Sequence, residues 1–268
     1  MEKSITIPVL HRMKREGRKI AGVVTYDYQM AQIVERAGVD IVSVGDSVGI
    51  NLWGHRSELD VTLDEMILAC AAVRRGVRRA LVSCDFPFGP LQSGEDAAVR
   101  AAIRIVKEGG ADIVKLDGAS AFPGAVEAIT RAGIPVWAQF GITPQTALQY
   151  GGMSKAGPEL ASEMKDRLVE EAKALESAGA SLLDFTNSGP VAGPAVTAAV
   201  SIPVIGGLGG GPWLDGRVRA VVAAIGYLAS AIDDRTDRYA NVARISLEAI
   251  EEFAADVRNG RHLRGQRG

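Results

Sequence analysis

The chain has few of the residues that build metal or disulfide frameworks. It holds two cysteines, Cys70 and Cys84, and three histidines, His11, His55 and His262, in 268 residues. The cysteines lack metal-ligand spacing and read as reduced, mostly buried thiols. The histidines are scattered without partner ligands, so no zinc site is indicated. Charge excess is lacking too: 30 Lys and Arg stand against 32 Asp and Glu, a formal net charge of −2. That balance gives no electrostatic reason to expect nucleic acid or an anionic membrane as partner. No apolar run is longer than a strand, which argues against a transmembrane helix. The stretch MEKSITIPVLHRMKREGRK carries acid and base where a signal peptide needs an apolar run, so a cytoplasmic protein is expected.

What the chain does have is a repeated pattern. Short runs rich in Val, Ile and Leu end abruptly in polar residues: IVSVGDSVG (41–49), ALVSCDFPF (80–88), IVKLDG (113–118) and LLDFTN (182–187). Such runs read as buried strands. Strands are expected at 20–27, 40–46, 80–87, 113–118, 135–141, 181–187 and 203–209, with an eighth within 218–227. Helical patterns lie between them. A short amphipathic helix precedes the first strand over 7–17, and another covers 28–37. Thr-Leu-Asp-Glu at 62–65 reads as a capping box. Ser93 is placed to cap a helix running to Gly109, a further helix ends at Ala132, a charged helix covers about 158–178, and a last helix spans about 240–257. The segment 143–157 reads as an active-site loop. The basic, Gly-rich end NGRHLRGQRG reads as mobile. Alternating apolar strands and helices imply a parallel sheet. Eight such units in one chain fit a single (β/α)8 TIM barrel domain over 1–268 with an N-terminal helix. In that fold the site lies at the C-terminal ends of the strands.

That rule gathers Asp46, Ser47, Asp85, Lys115, Asp117, Asp184, Thr186 and Asn187 at one mouth. Two carboxylates facing one cavity repel unless a proton or cation intervenes, and Mg2+ suits a site of oxygen ligands and waters. The alternative is that Asp46 and Asp85 each cap the loop that follows. Lys115 and Asp117 share a strand face; if that face points inward, Lys115 can bind an anionic substrate or form a Schiff base, and the alternative is a Lys–Asp ion pair without chemistry, the phase of the strand deciding between them. The Gly-rich run GGLGGGPWLDG (206–216) fits a phosphate loop or plain tight turns equally.

Together, VGDSVGINLWGH, VTLDEMILACAAVRRG, DFPFG, VKLDG and GITPQ resemble the ketopantoate hydroxymethyltransferase (3-methyl-2-oxobutanoate hydroxymethyltransferase) family, in order over about residues 5–225. That family belongs to the phosphoenolpyruvate mutase/isocitrate lyase barrels. The resemblance implies a homo-oligomeric enzyme, a Mg2+-bound 2-oxo acid, an enolate formed beside its carbonyl, and a one-carbon unit added from methylenetetrahydrofolate. Asp46 and Asp85 match the family's metal-site aspartates, Ser47 a substrate-contacting serine, and Lys115 the lysine near the substrate carboxylate. Asp117 stands where the family has a metal-associated glutamate, a methylene longer. Gln139 replaces a histidine and Thr186 the glutamate proposed as base, while MSKAGP replaces an Arg-containing stretch. Thr186 cannot serve as base at neutral pH, and Asp184 shares its strand face about 6–7 Å deeper. Asp184 is therefore either the replacement base, acting through a water or on a shifted substrate, or a buried structural carboxylate bonded to Lys115 or to a backbone group. Three readings compete: a hydroxymethyltransferase or diverged relative, a C–C lyase acting on a metal-held 2-oxo or 2-hydroxy acid, and a non-catalytic barrel that binds a 2-oxo acid.

Overall fold

The apolar runs become eight parallel strands that close into a barrel in sequence order: β1 Ile20–Val24, β2 Ile41–Val44, β3 Leu81–Asp85, β4 Ile113–Leu116, β5 Val136–Gly141, β6 Leu182–Thr186, β7 Val204–Gly206 and β8 Gly216–Ala220. The structure, a computed structural model, describes residues 4–152 and 158–265, so part of the loop expected at 143–157 lies outside the described residues. The helices are α1 Ile7–Arg15, α2 Tyr28–Arg36, α3 Leu63–Gly76, α4 Glu95–Arg104, α5 Pro123–Arg131, α6 Pro158–Glu163, α7 Lys165–Ser177, α8 Gly189–Ala199, α9 Val221–Ala224 and α10 Val242–Arg258. By compactness, residues 1–219 form one unit and 220–268 a second.

Residues of β2 through β6 are buried on both faces, except Gly141 at the end of β5. Double burial is why these strands read as continuous apolar runs rather than alternating ones. The inward phase is set at the N-terminal end, where Ile20, Ile41, Leu81, Ile113, Trp137, Leu182, Ile205 and Val218 pack as one cluster with Leu10 and Met13 of α1. Helix α1 thus plugs the lower mouth. It is pinned there by Lys14, which ion-pairs with Asp215 at 2.9 Å and donates to the carbonyls of Thr197 and Ile202. Counting upward in twos from that floor puts Ser43, Ser83, Asp85, Lys115, Asp117, Gln139, Asp184 and Thr186 on the inner face.

Four local expectations change. The N-cap of α4 is Gly94, at φ +101°, while Ser93 Oγ donates to the Gly89 carbonyl at 2.7 Å. The preceding turn consumes the hydroxyl, and the positive φ favours a residue without Cβ. The helix expected over 158–178 breaks at Met164 (φ −90°, ψ 4°) into α6 and α7. Helix α8, GPVAGPAVTAA, goes unmarked in the sequence because it holds two prolines and two glycines. Its first proline lies in the opening turn, where no N–H is needed. β8 starts at Gly216, before the expected window, and ends at Ala220, where α9 follows. Arg217 and Arg219 are exposed on its outer face and interrupt the apolar run that otherwise marks a barrel strand. By contrast, the capping box at Thr62 and Glu65 forms as read. Of the basic C-terminal stretch, Arg261 and Arg264 pair with Asp256 and Glu252.

Candidate active site

The register decides which polar groups meet. Asp85 lies beside Lys115 across β3–β4, Gln139 beside Asp184 across β5–β6, and Gly141 beside Thr186. Asp46, Asp85, Lys115, Asp117 and Asp184 are all buried, at 2–8% exposure. Lys115 Nζ stands 3.0 Å from Asp85 Oδ2 and 3.4 Å from Asp184 Oδ2, and lies 5.6 Å from the ring centre of Trp137 beneath it. Burial opposes its charge, yet the Asp85 and Asp184 carboxylates hold it above the usual lysine range. Lys115 is therefore an ammonium with its counter-ions in place, and Asp117, two residues further on just past the end of β4, is not one of its ion-pair partners.

Four carboxyl groups around one lysine leave an excess of negative charge. Burial, and then the nearby Asp85 charge, push the Asp46 carboxyl up to about 7. Burial pushes Asp117 up to about 6, against hydrogen bonds from Thr143 and the Gln145 backbone and the pull of Lys115. Asp184 is raised as well, by burial and against Lys115. Asp117 Oδ1 and Asp184 Oδ1 are buried without a hydrogen-bond partner. Unpaired carboxylate oxygens in low dielectric are costly and are usually resolved by a proton or a cation. The oxygen-only donor set of Asp46, Asp85 and Asp117 suits a hard divalent cation such as Mg2+. Among the described residues no three such side chains are already drawn into a closed cage. Mg2+ typically keeps several waters and takes only one or two carboxylates, so an open set is compatible with it.

The upper layer is neutral. Gln139 Nε2 donates to Thr186 Oγ1 at 3.0 Å, both side chains being buried. Ser47 Oγ lies 3.0 Å from the Tyr26 hydroxyl, which accepts from Asn51 Nδ2 at 2.9 Å. With Asn51 donating, the Tyr26 proton is free to go to Ser47, leaving the Ser47 proton for a further acceptor. Tyr26, Asn51, Ser43 (3.4 Å from Asp85 Oδ1) and Gln145 were not among the residues singled out for this site from sequence. Gln145 stands within the GITPQ motif that helped carry the resemblance, and that motif was the one signal available. Asn187 closes β6 at φ +56°, and its Nδ2 donates to the Ile142 carbonyl at 3.0 Å, a structural bond. The Gly-rich run after β7 serves close packing: a Cβ at Gly209 would come within 2.6 Å of Asn187 Oδ1, and one at Gly211 within 2.3 Å of the Trp213 ring.

Eight parallel strands around an acidic C-terminal mouth define the class, and comparison with solved structures agrees. The chain is similar to 2,3-dimethylmalate lyase, a PEP mutase/isocitrate lyase superfamily member (TM-score 0.63, 16% identity, covering 97% of this chain and 90% of that one). It is also similar to phosphonopyruvate hydrolase, solved with oxalate and Mg2+ (TM-score 0.59, 15% identity, 95% and 88%). At such identity these likenesses establish the fold. The sequence goes further. A family model described as ketopantoate hydroxymethyltransferase matches residues 4–262. A 3-methyl-2-oxobutanoate hydroxymethyltransferase of Cyanothece sp. is 41% identical over 256 residues, covering 94% of this chain and 96% of the relative. One of Trichlorobacter lovleyi is 36% identical over 260 residues, covering 97% and 96%. The chain belongs to the ketopantoate hydroxymethyltransferase family.

Proposed function

We propose that this protein transfers a one-carbon unit to a 2-oxo acid, with 3-methyl-2-oxobutanoate as acceptor, methylenetetrahydrofolate as donor and ketopantoate as product, a step of pantothenate synthesis. The observation that carries the reading is a match along the whole chain to a family of such transferases, falling on a barrel mouth with an acid cluster about one buried lysine. Asp46 and Asp85, with Asp117 completing the set, would hold Mg2+. Bound there, the cation would polarise a substrate carbonyl and acidify the neighbouring C–H. Lys115 would pair with the substrate carboxylate, and Ser47 would donate its proton to a substrate oxygen. Thr186, already accepting from Gln139, keeps its own O–H proton to donate, so this pair would orient the substrate. Asp184 is the carboxyl group on the same inner face and would accept the proton through a water. Both alternatives for Asp184 remain compatible in one residue: it is bonded to Lys115 through one oxygen while the other is unpartnered.

Purified protein given 3-methyl-2-oxobutanoate, methylenetetrahydrofolate and Mg2+ should form ketopantoate. Folded, metal-loaded protein that forms none would reject the substrate pair. The neutral Gln139–Thr186 pair favours one second reading, a C–C lyase, because bond cleavage beside a 2-oxo group needs no base at Thr186. A panel of 2-oxo and 2-hydroxy acids separates the two: release of an aldehyde or a shorter oxo acid without a folate donor supports the lyase.

No helix among the described residues is long and apolar enough to cross a membrane. A cytoplasmic setting and a homo-oligomeric assembly are part of the proposal. Supporting the latter, α10 exposes Ile250, Phe253 and Val257 at helical spacing.

A further inference from the structure

Gln145 follows β5, yet it reaches the ends of three other strands. Its Nε2 donates to Asp46 Oδ2 at 2.9 Å, beyond β2, and to the Phe86 carbonyl at 3.3 Å, beyond β3. Its backbone N–H faces Asp117 Oδ2, beyond β4, at 3.4 Å. Both hydrogens of the amide are thereby committed, one to a carboxylate and one to a carbonyl, so the amide has a single orientation. The turn that carries it is braced in turn. Thr143 and Thr146 join their hydroxyls at 2.7 Å, and the Thr143 backbone N–H donates to Thr146 Oγ1 at 3.3 Å. The Thr146 methyl packs on the turn after β4, 3.0 Å from where a Gly118 Cβ would be. A carboxylate whose one oxygen is tied to an N–H presents the other in a fixed direction. Hydrogen bonds to metal-ligating carboxylates act in this way, and their loss typically weakens metal binding by 10–100-fold.

We infer that Gln145 is a positioning residue for the divalent cation: through one side chain and one backbone N–H it fixes the carboxylates of Asp46 and Asp117 relative to each other, and it binds neither cation nor substrate. The inference rests on the reading that Mg2+ occupies the acidic mouth. It also differs from a simpler idea, that the amide merely fills the cation's place, because the two predict opposite effects of removing it.

The test is Mg2+ titration by calorimetry of the metal-stripped full chain, comparing wild type with Gln145→Met and Gln145→Glu. Methionine keeps the length and removes the donors. The Mg2+ dissociation constant should rise roughly 10–100-fold in Gln145→Met, with far-UV circular dichroism unchanged. Gln145→Glu should not rescue it, since glutamate offers no N–H to Asp46. Equal or tighter Mg2+ binding by Gln145→Met overturns the inference while leaving the metal reading intact. Wild type that binds no Mg2+ takes down both. Hydrogen exchange of the wild-type chain gives a readout free of mutation: Mg2+ should slow exchange across 143–152, and an unchanged rate there counts against the inference.

Discussion

Gln139 gives a hydrogen of its side-chain amide to the hydroxyl of Thr186 across 3.0 Å. Neither residue can take up a proton at neutral pH, so in the proposed reaction this pair would orient the substrate and leave the proton to Asp184. Replacing Thr186 with valine keeps the volume, removes the hydroxyl and leaves the buried Gln139 amide without its acceptor. An unmet buried donor costs about 1–3 kcal/mol, to be read by urea denaturation. The kinetic expectation is a fall in kcat/KM that serine at 186 restores. Full activity in Thr186→Val would remove the hydroxyl from the reaction.

Lys115 sits between Asp85 and Asp184, and its removal leaves both buried carboxyls without a counter-charge. Breaking a buried pair from one side costs about 3–5 kcal/mol, far more than such a pair contributes when replaced whole. Lys115→Met should therefore unfold at markedly lower urea concentration and raise the KM for the 2-oxo acid. Pairing it with Asp184→Asn should recover part of the stability but none of the substrate affinity. Recovery of both would mean that the lysine serves only to neutralise Asp184.

The acid cluster gives the cation-free chain a pH dependence with a definite sign. Asp46 is pushed up to about 7 and Asp117 to about 6 by burial, above their ordinary 3.8. Between that ordinary value and the raised one, the folded chain holds protons that the unfolded chain has released. Stability from these groups is thus full below the ordinary carboxylate range and is lost as pH rises through about 6–7. In EDTA, the Tm should fall from pH 5 to pH 8, and less so in Asp46→Asn. Added Mg2+ should raise Tm more at pH 8 than at pH 5, since its ligands must be ionised. A Tm in EDTA that falls equally in wild type and Asp46→Asn would place the dependence elsewhere.

Strand positions were legible because parallel strands buried on both faces leave unbroken apolar runs, and because Asp, Lys and Asn break them at one end only; the inward phase was not, since a strand buried on both faces does not reveal which face turns in. The period of two by itself puts Lys115 with Asp117, and Asp184 with Thr186, on one strand face. Pairing across strands was legible only in part: Asp184 bonded to Lys115 was one of the alternatives for that carboxylate, whereas Asp85 rather than Asp117 as the second partner follows from register, which no single strand encodes. Helix α8 was hidden by its prolines, and β8 by the two arginines on its outer face. Gln145 was hidden for a different reason. Its role comes from a turn that carries one side chain back across three strand ends, a long-range closure with no local pattern.

Helix α10 exposes Ile250, Phe253 and Val257, three and four residues apart and so on one face. Each is a little more than half exposed, which leaves on the order of 1–2 kcal/mol of unrealised burial per side chain. A second copy of the chain is the expected cover, in keeping with the proposed homo-oligomer. Light scattering on a sizing column should give wild type a mass that is a multiple of 28.2 kDa. The double variant Ile250→Glu with Phe253→Glu places charge in that face, and it should shift the mass toward the monomer while leaving the circular dichroism unchanged. A wild-type monomer at micromolar concentration would dismiss the assembly outright. An intact oligomer in the double variant would move the interface to another face.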